Sequence, residues 1–175
     1  MNVPGLGQMT EPDDLGWRRS EPLPVVVLRG QTCRIVLEGY DDDQEKGEFH
    51  EAIENFLAAD ATVLEAAASH IFRYYQDCNA DWEPGDEEYI AIQAPADVWD
   101  HITLGDEPTV TRRGYGDHGV YVTLECNCDW EPEHGLQIVF RRGLSVCKVG
   151  PNDGHVTNSD AYANPGLEHV IYKPR

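Results

Sequence analysis

Two thiols and an imidazole fall in one short stretch, "CNCDWEPEHG" at residues 126–135. Thiolates and imidazole are zinc ligands, so Cys126, Cys128 and His134 could hold a metal, with Cys147 or Cys78 as a fourth donor. The spacing favours a different role. Residues two apart on a strand share a face, and Val120, Val122 and Leu124 precede the cysteines at the same alternation. Zinc knuckles usually place two to four residues between their cysteines. The thiols are therefore expected to point into an apolar interior. No cofactor is expected, and the Cys126, Cys128 and His134 set stands as the alternative, a metal-binding protein or metalloenzyme.

Glu131, Glu133 and His134 are also acid–base groups, and a tight turn could bring them to one substrate. No glycine-rich phosphate loop, serine elbow or His-Glu-x-x-His helix accompanies them. A non-enzymatic protein is expected. The structural role of the stretch is more specific. Gly135 permits a positive φ after the charged turn, and His134 can rigidify that turn by bonding a carbonyl or carboxylate. Trp130 is expected to cover an open sheet edge, and Leu136 starts the returning strand.

The phrase occurs nearly twice: "CNADWEP" at 78–84 and "CNCDWEP" at 126–132. The first copy follows a helical pattern and the second ends a strand pattern, so the flanks do not repeat as a duplicated unit would. Both read as polar turns in which Trp caps the edge of a core, and their sequences leave open whether they meet in space. Their acids, Asp81, Glu83, Asp86, Glu87 and Glu88 with Asp129, Glu131 and Glu133, form the candidate binding surface.

The rest of the chain amplifies that charge. Thirty-two acids face thirteen bases, a formal charge of −19. Such a balance excludes the positive footprint that nucleic acid demands and disfavours an anionic membrane. It suits a basic protein partner, whose encounter it would accelerate. No apolar run approaches the ~20 residues that cross a bilayer, and the N-terminus lacks the pattern of a secretory signal. Five cysteines, an odd number, read as free thiols in a reducing compartment. The cytoplasm is the expected location.

The elements that must hold these residues predict an α+β fold: an antiparallel meander with two helices from the N-terminal half packed on one face. Residues 1–22 read as a flexible arm, and 23–175 as a single domain. Residues 24–30 and 32–40 read as a hairpin, with Cys33 a small core residue. Phe49, Ala52, Ile53, Phe56 and Leu57 line one helix face. The acids at 41–45 stand at that helix's entrance, where its dipole favours them. Asp60 caps a second helix with the stripe Leu64, Ala67, Ala68, Ile71, Phe72 and Tyr75. Short strands are expected at 89–93, 108–113 and near 168–172, and a helical turn at Pro95. Residues 119–150 alternate as a three-strand meander with one apolar face.

"CDWEPEHGLQIVFRRGLSVCKVGPNDGH" resembles an uncharacterised family of bacterial domains of unknown function. The shared signature is Trp, an acid, any residue, then Glu-His-Gly-Leu. It maps to Trp130, Glu131, Glu133, His134, Gly135 and Leu136, then to Val146, Val149, Gly150 and Asp153. Tyr74 and Tyr75 match the family's Tyr-rich helix, and "PADVWDHITL" its connecting segment. The likeness covers roughly residues 30–157. The chain differs at Pro132, where an acid is expected, and in its N-terminal arm. The resemblance implies an α+β fold. Some members are similar to the small acidic immunity proteins that accompany bacterial toxins, so it also implies an immunity-like role.

Overall fold

A computed structural model describes residues 1–174. Short strands open the chain: β1 (Asn2–Val3), β2 (Gly7–Gln8), β3 (Arg18–Arg19), β4 (Leu23–Val25), β5 (Gln31–Cys33) and β6 (Val36–Glu38). Helices α1 (Lys46–Ala58), α2 (Ala61–Glu65) and α3 (Ala68–Asn79) follow. Then come β7 (Ile102–Thr103), β8 (Thr109–Arg112), β9 (Val120–Cys128), β10 (Leu136–Arg141), β11 (Ser145–Gly150) and the single turn α4 (Asn158–Ala161). The fold is α+β. One seven-stranded sheet runs β11-β10-β9-β8-β6-β3, with β7 pairing the far end of β9. Every pairing in it is antiparallel except β6 with β8. Among the described residues, no helix is long and apolar enough to cross a membrane.

The meander β9-β10-β11 follows the expected alternation. Leu136, Ile138 and Phe140 stand opposite Cys126, Leu124 and Val122, so all six share a face. Helix α1 packs there through buried Phe49, Ala52, Ile53 and Phe56, with the Phe56 and Phe140 rings edge to face at 5.2 Å. The opposite face departs from expectation. Tyr121, Val139 and Val156 form a second buried cluster there. Residues after β11 fold back over that face, so part of the sheet is apolar on both sides.

Two adjacent arginines clamp the two faces. Alternate residues on a strand point opposite ways. Arg112 reaches Asp43, at 2.5 Å, and Glu48 at the entrance of α1. Arg113, with a side chain 2% exposed, reaches Asp160 at 2.7 Å and Glu168 at 2.8 Å in the C-terminal segment. Asp43 is thus spent on an ion pair, as is Asp41, which takes Arg18 at 2.8 Å.

Several local expectations are corrected. The arm at 1–22 is packed: β3 joins the main sheet opposite Val36 and Leu37, and Val3, Leu6 and Met9 are buried in the main core. Val3 ends the two-residue β1, Leu6 lies in a turn and Met9 forms an isolated bridge to Ser20, so the three follow neither helix nor strand period. The hairpin at 24–40 is confined to β4 and β5. The chain then leaves it, because β6 pairs with β3 and β8. The second helix is interrupted between α2 and α3, where bonds tighten to Ala67 N to Leu64 O and His70 N to Ala67 O. Asp60 does cap α2, accepting from Thr62 N at 2.9 Å.

Residues 89–93 are not a strand. Side chains of α3 satisfy their backbone instead: Tyr75 Oη donates to Ile90 O at 2.7 Å and accepts from Ile92 N at 3.2 Å, and Asn79 Oδ1 accepts from Ile90 N. The end of the chain is likewise no strand. Val149 N donates to Ile171 O at 2.8 Å, while Asn158 Nδ2 donates to the carbonyls of Val170 and Ile171.

Candidate functional site

The turn between β9 and β10 is held from every side. Gly135 N donates to Glu131 O at 2.9 Å, and Asn152 N to His134 O at 3.2 Å. Tyr74 Oη on α3 donates to Gly135 O at 3.0 Å. Gly135 has φ +62°, and a Cβ there would lie 2.5 Å from the Cys126 carbonyl oxygen, so glycine is needed for both conformation and space. His134 Nδ1 lies 3.3 Å from Glu131 Oε1, the carboxylate contact anticipated for that ring. His101 Nδ1 stands 2.9 Å from Asp129 Oδ2 at the other end of the turn.

Trp130 does not cover an open edge. It is buried between α3 and the sheet, its ring edge-on to Tyr74 at 6.2 Å and to Tyr75 at 5.9 Å. Among the described residues its Nε1 finds no acceptor.

The earlier turn hangs from the end of α3. Glu83 N donates to Asp86 Oδ2 at 2.7 Å, and Asp86 N to Glu83 O at 3.0 Å. Trp82 is 41% exposed. The two similar phrases meet: Cys78, Asp81 and Trp82 from the first and Asp129, Trp130, Glu131 and Pro132 from the second line one cavity of about 450 Å³. Glu87, Glu88, Ile90 and Glu133 complete it. Six of the eight expected acids therefore converge on one opening, and among the described residues no lysine or arginine lines it. Glu83 and Asp86 stand outside, closing their own turn.

The thiols and the imidazole part company. Cys126 and Cys128 are each 6% exposed and belong to the core, and burial pushes both thiols up to about 12. The His134 side chain is 59% exposed. Among the described residues, the set whose ligand atoms all lie within 4.8 Å of one another is Glu131, Glu133 and His134, without either cysteine. The structure thus brings together the three acid–base candidates and separates the proposed zinc set.

Besides Arg113, a second buried charge escaped the sequence reading. Lys148 on β11 is 1% exposed and lines a smaller cavity of about 280 Å³ beside Glu131 and His134. Its ammonium donates to Gln137 Oε1 at 2.9 Å, to His155 O at 2.8 Å and to Asp153. Burial pulls its pKa down, and the bond to Asp153 opposes that shift. With its three donors used, the residue pins the loop after β11. A lysine set among strand residues was its one trace in the sequence. The remaining cysteines, Cys33, Cys78 and Cys147, are also outside any disulfide, and the first two are buried.

No curated protein and no solved structure matches this chain. A family match does extend over residues 5–156. It begins inside the N-terminal segment, in keeping with the burial of Leu6 and Met9. The chain belongs to the DUF6985 family, whose members carry a domain of unknown function.

Proposed function

We propose that the protein is a non-enzymatic binding module whose acidic face captures a basic protein partner. The observation that carries this reading is the shared cavity, lined by six carboxylates from two distant turns and by a partly exposed Trp82, with no lysine or arginine among the described residues that line it. Such a surface steers a cationic partner by long-range attraction and offers an aromatic anchor. The signature resembles a family some of whose members are similar to small acidic immunity proteins, and on that likeness the partner is a basic toxin blocked in the cytoplasm.

The test must separate this face from the chain's general acidity. Asp81→Asn, Glu87→Gln and Glu88→Gln together remove three charges at the cavity. Glu51→Gln, Glu54→Gln and Glu65→Gln remove three exposed charges elsewhere. Co-expression with products of adjacent genes, followed by pull-down at rising salt, should yield a partner lost in the first triple variant and kept in the second. Equal loss in both, or no partner at low salt, rejects the reading.

The three-ligand set favours a second reading, a divalent cation at Glu131, Glu133 and His134 in place of the thiol site. Two carboxylates and an imidazole suit manganese or zinc. Titration calorimetry with each ion, on the protein and on Glu133→Gln, tests it. Absence of a saturable heat with both ions rejects it.

A further inference from the structure

We propose that the cavity between the two turns is an arginine socket: it takes one arginine side chain of the partner, with the guanidinium against Trp82. This rests on the acidic-face reading above and adds which residue the partner must present. The cavity is mixed in chemistry. Trp82, Ile90 and Pro132 supply apolar walls, while Asp81, Glu87 and Glu88 supply carboxylates. An arginine matches both halves. Its methylene stem lies along apolar surface, and its flat guanidinium stacks on an indole and donates in pairs to carboxylates. A lysine ammonium is a compact, strongly hydrated charge and would use the carboxylates without gaining from the indole plane to the same degree.

The guanidinium arrives on a peptide segment, because the acidic-face reading makes the partner a protein; Trp130, 6% exposed, forms part of the cavity wall.

Labelled octa-arginine and octa-lysine peptides, followed by fluorescence anisotropy at low salt, test the socket. The variants are Trp82→Ala, Trp82→Phe and the distant Glu51, Glu54 and Glu65 triple variant. Octa-arginine should bind about tenfold tighter than octa-lysine, as stacking on a partly desolvated indole implies. Trp82→Ala should erase the preference, Trp82→Phe should retain part of it, and the distant triple variant should keep it. Urea titration of both Trp82 variants checks that they fold. Spermine should compete poorly, because it offers charge without a guanidinium. Equal binding of the two peptides, a preference that survives Trp82→Ala, or full competition by spermine overturns the socket while leaving the acidic-face reading intact. If neither peptide binds, the acidic face and the socket fall together.

Discussion

Tyr74 Oη donates to the Gly135 carbonyl at 3.0 Å, and this bond ties helix α3 to the turn that ends the longest strand. The same helix carries Cys78 and leads into Trp82. A single element therefore sets the distance between the two acidic turns. Rigidity at this joint preserves the cavity.

Removing the hydroxyl should expose that dependence. Tyr74→Phe leaves a buried carbonyl without its partner, and the expected loss is about 1–3 kcal/mol. Gly135→Ala should cost more than about 1 kcal/mol, since φ is positive and the new methyl meets the Cys126 carbonyl. Urea unfolding measures both, and losses near zero would show that the joint is held elsewhere.

The Arg113 clamp should be worth more. Its guanidinium donates to both oxygens of Asp160 and of Glu168. Arg113→Ala strands the Asp160 carboxylate and leaves Glu168 with Arg141 alone, a change expected to cost about 3 kcal/mol. Hydrogen exchange should quicken across residues 157–171 before it does in β9 and β10. Uniform quickening would instead mean that the C-terminal segment and the sheet open as one unit.

Stability should fall on acidification. The bonds from Arg113 hold Asp160 and Glu168, and the bond from Arg112 holds Asp43, below their ordinary values of 3.8 and 4.5. A carboxyl with a depressed folded pKa binds fewer protons folded than unfolded. Its contribution is complete above the unfolded value and disappears as pH drops through the folded one. The urea midpoint is expected to stay level down to roughly pH 5 and then decline. Arg113→Ala should shallow that decline, and an unchanged slope would remove these carboxylates as its source.

The thiols offer a check on the core. Burial pushes Cys126 and Cys128 up to about 12, and Cys33 and Cys147 up to about 11. A disulfide reagent at mildly alkaline pH should titrate them only slowly in the folded protein and all five at once in denaturant. Rapid labelling of Cys126 or Cys128 in the native state would contradict their placement.

Much of the local structure was legible in residue spacing. The stripe from Phe49 to Phe56, the Asp60 cap, the meander and the positive φ of Gly135 each depend on neighbours a few positions away, and each is found where spacing predicts it. The misreadings share one cause. Residues 89–93 carry strand-like side chains, but Tyr75 and Asn79 satisfy their backbone. Residues 32–40 look like one strand until β3 and β8 claim its second half. Val3, Leu6 and Met9 show no period because a two-residue strand, a turn and an isolated bridge, rather than one regular element, deliver them to the core.

The candidate site divides the same way. The sequence by itself determined that the chain is strongly acidic, that Cys126 and Cys128 share a face with Val122 and Leu124, and that His134 follows Glu131 closely enough to bond it. Only the tertiary structure decided that the two acidic turns enclose one cavity, that Trp130 lies beneath it while Trp82 stays partly exposed, and that Glu131 and Glu133, not the thiols, accompany His134. Periodicity and charge are properties of neighbouring residues. A cavity between residues 82 and 130 exists only after α3 has docked on the sheet, and no local pattern encodes that docking.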